Sequence, residues 1–387
     1  MIRPEAAAWF EIIAARDDAA LALESLASAG CAEIEPIDRA TAAGELFARI
    51  TGWTSDRERL RACLERSAAR ALVHFPPPPE GVQPPILLHN PGWVQPFEIF
   101  TRMVGMPGRF SADPSGVLTF VAPVIFGYMF GDVVQGAVLV VLGLLLQRRQ
   151  PMLRLLIAGG LAAIAFGFVF GSTASVRGAV PALWVEPLDD PLAVLIAPIV
   201  LGALILALGL ALNGFEAWWR GAFARWLAGD AGFLLVYAGI LLTFLHRAGP
   251  ILAVIGLALY VGGRVRQERR AVAALTALGE LLEKSAQILI NTLSFVRVGA
   301  FALAHAGLSS ALAAMAVATG NRVGYAVLLV IGNVVIIAIE VLVASIQTTR
   351  LVLFEFFTRF FTAGGREFHP LPSPSPASEE SAHESKT

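Results

Sequence analysis

The chain has 387 residues, of which 56% are hydrophobic and 15% are charged, with a mean hydropathy of +0.68 and a formal net charge of −1. A soluble domain carries about a quarter charged residues, so this composition argues against a soluble protein and favours a polytopic membrane protein. The net charge near zero indicates no nucleic-acid partner. The two cysteines, Cys31 and Cys63, do not have the spacing of metal ligands, and we expect no disulfide, metal or cofactor.

The N-terminal part, residues 1–73, predicts a small cytosolic α/β domain, because FEIIAARDDAALALESLASAGCAEIEPI alternates a short apolar strand with a helical segment. Residues 74–110 follow as a linker. It contains the proline-rich stretch HFPPPPEGVQPP and an amphipathic element, 96–110, that we expect at the membrane surface. The first residues have no uninterrupted apolar segment, so we expect no cleaved signal peptide.

Residues 111–368 predict the transmembrane domain, and the polar tail 369–387 predicts a disordered cytosolic segment. About eight helical spans are expected, with the last two long enough to be tilted. The predicted spans lie near 114–131, 133–147, 152–171, 192–213, 229–246, 249–263, 284–318 and 323–361.

The placement of arginine predicts the orientation of these spans. The turns after spans two, four and six carry QRRQPMLR, EAWWRGAFARW and RVRQERR, whereas the turns after spans three, five and seven carry one arginine each. The positive-inside rule places the arginine-rich turns in the cytoplasm. We therefore expect a multi-pass protein of the cell (inner) membrane with both termini in the cytosol.

The seventh span carries polar side chains in an otherwise apolar stretch. At 100° per residue they share one half of the helix, and Ala300 and Ala304 lie on the face of the central arginine, where another helix could approach closely. The six polar residues are Glu283, Gln287, Asn291, Ser294, Arg297 and His305.

The eighth span repeats this pattern. Asn333, Glu340 and Gln347 are spaced by seven and form one stripe, Arg350 lies beside it, and Glu355 follows. Such residues within a membrane face the interior of the bundle or water, and they mark an ion or substrate pathway by default.

The two antiparallel spans also predict relative depths. If Arg297 and Arg350 are level, His305 and Glu340 lie about 12–15 Å toward the outside, and Glu283 lies about 21 Å toward the cytoplasm. A cationic centre with a titratable group toward each surface is the arrangement expected of two offset aqueous half-paths.

Structural explanations exist for each residue alone. An intramembrane arginine can belong to an ion pair, and a histidine such as His305 is often a packing residue. Glu283 and Glu355 lie near span ends, where they could simply be solvated. The convergence of two arginines, a glutamate and a histidine on adjacent helices favours a pathway.

The segment SFVRVGAFALAHA (294–306) resembles a signature in the seventh helix of subunit a (also called I) of the V/A-type rotary ATPases, S-Y-L-R-L-x-A-L-x-L-A-H-A. The resemblance implies that Arg297 is the arginine that faces the rotor carboxylates. Glu340 and Arg350 keep the ten-residue spacing of a glutamate and a second arginine in the family's eighth helix, and Glu283 matches a glutamate fourteen residues before the essential arginine.

Three further segments, 86–108, 126–146 and 353–371, resemble the family's entry into the membrane domain, its first interspan turn and its C-terminal end. There are also departures. GDVVQG lacks the middle glycine of G-D-x-G-x-G, and Gln347 stands where histidine is common. The long coiled coil of the family's cytosolic arm is not found here.

The resemblance implies a stator subunit that forms two half-channels against a rotor c-ring and couples H⁺ or Na⁺ movement to ATP hydrolysis or synthesis. Its partners would be the ring, a peripheral stalk and soluble ATPase subunits, because the chain has no phosphate-binding loop and is not expected to be an enzyme itself. The alternatives are a stand-alone secondary transporter or channel, and a non-transporting assembly or regulatory homologue. The candidate ion-translocation residues are Arg297, Arg350, Glu340, His305, Glu283, Ser294, Asn291 and Gln347.

Overall fold

The computed structural model of the chain divides into two compact units. The small unit comprises Met1–His89, Gly105–Asp113 and Thr362–Thr387, and the helical unit comprises Asn90–Val104 and Pro114–Phe361. The structure describes residues 4–35, 46–79, 81–109, 111–176, 180–243, 246–268, 272–357, 361 and 363–372.

The described residues of the small unit form two four-stranded sheets and two α-helices. The first sheet has the order β3-β4-β2-β5 with antiparallel neighbours, and the second has the order β1-β6-β8-β7. The elements are β1 (Glu5–Ala6), β2 (Ala8–Ala15), α1 (Ala19–Ala29), β3 (Ala32–Ile34), β4 (Phe47–Thr54), α2 (Arg57–Arg66), β5 (Ala71–His74), β6 (Pro85–Leu87), β7 (Met106–Pro107) and β8 (Ala363–Glu367).

The alternation of apolar residues in β2 explains how this unit is packed. Phe10 and Ile12 point to one face of the sheet and are fully buried with Leu26 of α1 and Leu60 of α2. Successive side chains of a strand point to opposite faces, so Trp9 lies on the other side. The predicted presence of strands and helices in the N-terminal part is confirmed.

The second sheet joins segments that are far apart in the sequence. Strand β8 pairs in parallel with β6 and antiparallel with β7, both of which fall in the predicted linker 74–110. Beyond β8, the backbone N–H of Leu371 donates to the carbonyl of Ala32 (2.8 Å). Residues 373–387 of the predicted disordered tail lie outside the described residues. The domain boundaries drawn from the sequence stay predictions.

The helical unit is built almost entirely from α-helices, which confirms the mainly α fold class. Its helix α12 packs against α7, α13 and α4. Its helices are α3 (Glu98–Val104), α4 (Ser115–Met129), α5 (Val133–Leu146), α6 (Arg154–Phe170), α7 (Pro191–Trp219), α8 (Phe223–Ala228), α9 (Asp230–Thr243), α10 (Gly249–Glu268), α11 (Val272–Ser294), α12 (Val296–Ala318) and α13 (Arg322–Arg350).

Among the described residues, five helical segments are long and apolar enough to cross a membrane, so the chain is a membrane protein. The first three predicted spans coincide with α4, α5 and α6, which have 15, 14 and 17 residues. At 1.5 Å per residue these helices extend about 21–26 Å, less than the hydrocarbon thickness of about 30 Å. The count of eight spans therefore stays a prediction. The five segments are Pro191–Trp219, Phe223–Thr243, Gly249–Arg266, Ala274–Ala318 and Arg322–Phe357.

The seventh predicted span, 284–318, is two helices in the structure. Helix α11 ends at Ser294 and α12 begins at Val296. At the junction, Phe295 N–H donates to the Thr292 carbonyl (3.1 Å) and Val298 N–H donates to the Phe295 carbonyl (2.9 Å), which are the shorter bonds of a tightened turn. The assumption of an unbroken 100° per residue from α11 into α12 was wrong.

Candidate functional site

The predicted central arginine lies in the first turn of α12, directly after the helix junction. Arg297 is half-buried, and its Nη1 donates a hydrogen bond to Oε1 of Gln347 on α13 (3.4 Å). The structure therefore brings together two of the residues that the sequence pattern selects. A bond of this length is weak, so the guanidinium keeps most of its capacity to bind an anion.

The face of α12 that continues from Arg297 is rich in small residues and also carries the exposed Leu308. Ala300, Ala304, Ala311 and Ala314 are exposed, and a Cβ added at Gly307 would contact nothing within 4 Å. Small residues on a membrane helix allow another helix to approach its backbone closely. This face, 300–314, is open along its length in the structure and ends at the arginine.

His305 and Glu340 form the second part of the site. Nδ1 of His305 lies 2.5 Å from Oε2 of Glu340, and only 4% of the His305 side chain is exposed. The other ring nitrogen, Nε2, is buried without a hydrogen-bond partner among the described residues. His305 is eight residues beyond Arg297, which is about 12 Å along the helix, and the contact places Glu340 of α13 beside it.

Asn333, the first residue of the predicted stripe on α13, is hydrogen-bonded to neighbouring elements of the helical unit. Its Oδ1 accepts from Nε2 of Gln135 (2.9 Å), and its Nδ2 donates to the carbonyl of Ala174 (3.1 Å). The N–H of Ala174 in turn donates to Oδ2 of the fully buried Asp132 (2.6 Å), which also caps the start of α5. This network fixes the loop that begins at Gly171. The sequence analysis did not select Asp132 or Gln135, although both lie in the GDVVQG segment that carries part of the resemblance.

A cavity of about 370 Å³ lies between this loop and α12. Ser309 lines it one turn beyond His305, and Glu186 and Asp189 contribute carboxylates. The hydroxyl oxygens of Ser309 and Ser175 are buried without partners among the described residues. Buried polar atoms are rarely left unsatisfied, so a cavity with several such atoms is suited to hold water.

Glu355 lies at the other end of the site, in a π-helix (Leu351–Phe357) that follows α13. It is 6% exposed, faces Ser294, and lies within electrostatic range of Arg350 and Arg297. Its Oε2 has no hydrogen-bond partner among the described residues. The sequence left open that this carboxylate is solvated at a span end, whereas the structure buries it within electrostatic range of both arginines.

The remaining predicted residues lie along α11. Glu283 and Gln287 are exposed, and Asn291 and Ser294 are half-buried; the Ser294 hydroxyl donates to the carbonyl of Ile290 (3.2 Å). No hydrogen bond or ion pair of the described residues joins Glu283 to the arginines. The structure therefore brings together Arg297 with Gln347 and His305 with Glu340. It leaves Glu283 apart from both pairs.

The chain is similar to archaeal proteins named A-type ATP synthase subunit I. It is 26% identical to the protein of Thermococcus kodakarensis over 84% of this chain and 54% of the relative. It is 28% identical to that of Pyrococcus horikoshii over 76% and 48%, and 25% identical to that of Methanocaldococcus jannaschii over 83% and 54%. No family model matches the chain.

The chain thus spans about half the length of the curated relatives that it matches. The similarity extends over most of this chain, and it confirms the resemblance to the membrane subunit a, or I, of V/A-type ATPases. With the apolar helices, it supports a membrane subunit associated with ion transport.

Proposed function

We propose that this chain is the stator membrane subunit of a V/A-type rotary ATPase, in which it forms two ion half-channels against a rotor ring. The observation that carries the proposal is the position of Arg297. Its guanidinium lies at the end of an exposed face rich in small residues, and among the described residues it donates a long hydrogen bond to Gln347. That arrangement suits a charge that must meet a carboxylate on a moving neighbour.

Arg297 would keep a passing rotor carboxylate ionised. An opposite charge within about 4–6 Å lowers the pKa of a carboxyl group by about 1–3 units. Away from the arginine the rotor carboxylate faces lipid, where its charged form is costly, so it must bind an ion before it moves on. Each step of the ring is thereby coupled to one H⁺ or Na⁺.

The outer half-channel would run through the cavity beside α12 to the His305–Glu340 pair. Ser309 lies between them along the helix, and Nε2 of His305 is available for a further hydrogen bond. An ion or proton entering past Glu186 and Asp189 would reach Glu340 about 12–15 Å from the level of the arginines.

The inner half-channel would follow α11, where Glu283, Gln287, Asn291 and Ser294 succeed one another at helical spacing. Arg350 and the buried Glu355, which lies within electrostatic range of both arginines, would stand where this path meets Arg297. Arg297 then separates the two paths electrostatically, because a cation crossing directly between them would have to pass a fixed positive charge.

The remaining assignments follow from this role. The arginine-rich turns would face the cytoplasm of a cell (inner) membrane, which leaves both termini in the cytosol. The partners would be the carboxylate-bearing ring, a peripheral stalk and soluble subunits that bind ATP, so this subunit would conduct ions without catalysing a reaction.

Replacing Arg297 by alanine tests the proposal. We expect ATP-driven ion pumping into inner-membrane vesicles to fall to background, because nothing then forces the rotor carboxylate to release its ion. Arg322→Ala, which removes an exposed arginine at the start of α13, serves as the control and should pump normally. Vesicles that still pump with intact ATP coupling after Arg297→Ala would contradict the assignment.

Purification of the chain from its native membrane tests the partners. Recovery of a rotor ring and soluble ATPase subunits with the chain is the expected result. A solitary oligomer that transports ions without them would instead favour a stand-alone transporter or channel.

A further inference from the structure

A second polar cavity, of about 560 Å³, lies in the helical unit. It lies between the C-terminal end of α7, helix α8, the start of α9 and the C-terminal part of α10. Three of its arginines come from the turns that are rich in basic residues. The side chains that matter here are those of Asn213, Glu216, Arg220, Arg225, Trp226 and Arg264.

Two of the arginines are already bound to carboxylates. Nη2 of Arg220 lies 2.9 Å from Oε2 of the buried Glu216, and Nη2 of Arg264 lies 2.5 Å from Oε2 of Glu280. Arg225 is exposed and has no carboxylate partner among the described residues. Asp230, the first residue of α9, also lines the cavity, so its lining carries three positive and two negative groups.

A buried donor adds to this preference for an anion. The indole Nε1 of Trp226 is inaccessible to solvent and has no acceptor among the described residues. The ring is fixed in place, since it stacks on Phe223 with a centroid distance of 5.6 Å and fills the notch at Gly214. A buried donor without an acceptor is unfavourable, so an acceptor on a bound ligand would stabilise this arrangement.

Exposed large apolar side chains flank the cavity. Trp218, Phe223 and Leu227 expose 64%, 44% and 52% of their surface near the arginines. Tryptophan is enriched at the level of the lipid headgroups. Basic pockets between transmembrane helices at that level bind anionic headgroups.

We propose that this cavity binds the headgroup phosphate of an anionic phospholipid through Arg225 and the indole N–H of Trp226, with Arg220 and Arg264 supplying further donors. The apolar side chains of α8 lie beside the acyl chains. The bound lipid fixes α8 between the end of α7 and the α9–α10 pair, independently of the ion pathway.

Native mass spectrometry of the purified full chain tests the proposal, with phosphatidylglycerol, phosphatidylcholine and inorganic phosphate as the probes. We expect phosphatidylglycerol to remain bound and phosphatidylcholine to dissociate. Arg225→Gln and Trp226→Phe should each lower phosphatidylglycerol occupancy about fivefold, as expected for the loss of one cationic or donor contact to a headgroup. Arg322→Gln is the matched control and should bind as the unaltered chain does.

Equal retention of phosphatidylcholine, or unchanged binding in both variants, would overturn the proposal. Displacement of the lipid by an equimolar amount of inorganic phosphate would overturn the assignment to a lipid. Trp226→Phe removes only the N–H donor and keeps the ring stack, so the test stands even if Arg225→Gln fails to fold.

Discussion

At the scale of single residues, two of the three polar side chains that form the stripe on α13, Glu340 and Asn333, have different environments. Glu340 contacts a buried histidine whose other nitrogen is unsatisfied, whereas both functional groups of Asn333 are hydrogen-bonded to neighbouring elements. An equal spacing in the sequence therefore conceals one residue suited to ion transfer and one that holds a loop in place.

Substituting Glu340 and Asn333 separately should distinguish an effect on ion transport from an effect on stability. Glu340→Gln keeps a hydrogen-bond partner for His305 and removes a titratable group, so we expect ion pumping to fall at least about tenfold with an unchanged unfolding temperature. Asn333→Ala breaks the network at Gln135 and Ala174 and should cost about 1–3 kcal/mol of stability. Pumping per folded complex and thermal unfolding measure the two effects. The reverse pattern would contradict the division of roles.

Glu355 shows where reasoning from the sequence stops at this scale. The antiparallel comparison correctly predicts that His305 and Glu340 lie at one depth, because both positions lie in regular helices with a known rise. Glu355 follows a change from α-helix to π-helix after Arg350, which alters the rotation per residue. A wheel drawn at 100° per residue cannot place such a carboxylate beside Arg297.

At the scale of helices, the junction between α11 and α12 depends on a contact with α7. A Cβ added at Gly202 would collide with the ring of Phe295, which is fully buried. Neither proline nor glycine occupies the junction itself, so the local sequence gives no signal of the break. The residue at the break, Phe295, packs against a helix about ninety residues earlier in the chain, and this long-range contact is not visible in the local sequence.

A larger side chain at Gly202 should displace Phe295 at this junction. Arg297, two residues after Phe295, should move with it. We expect Gly202→Val to cost about 1–3 kcal/mol through overpacking and to lower ion pumping. Gly279→Ala, at a helical glycine where an added Cβ meets nothing within 4 Å, should leave both unchanged. Thermal unfolding and pumping of the two variants provide the measurement, and a Gly202→Val protein with normal pumping would contradict the coupling.

At the scale of the whole molecule, the sequence predicts the secondary-structure elements better than the pairing between distant segments. Apolar periodicity identifies the helices and the strands of the first sheet. It gives no signal for β8, whose sequence AGGRE has two glycines and no β-branched residue. The strand forms because β6 and β7 offer unpaired edges to it and because Arg366 is paired with Glu33 and Glu35.

The ion pairs of Arg366 predict how much this residue contributes to the stability of strand β8 in the small unit. Arg366→Ala leaves the nearly buried carboxylate of Glu33 with the N–H of His369 as its remaining donor (2.8 Å). Because Arg366 is itself 43% exposed, we expect a loss of only about 1–2 kcal/mol in the small unit. Hydrogen exchange of the β6 amides should quicken in this variant and stay unchanged in Arg66→Ala, an exposed arginine of α2. Equal exchange in both variants would show that the pairs contribute nothing.

Strand β8 also sets an order of events in biosynthesis. Residues 363–367 leave the ribosome after every described helix, yet they lie between β6 and β7, which are translated before the first long apolar helix. The second sheet therefore stays open while the described helices are synthesised. A nascent chain that stalls within α13 leaves two strand edges unpaired. Such edges are templates for aggregation and targets for proteases, so pairing with β8 protects them.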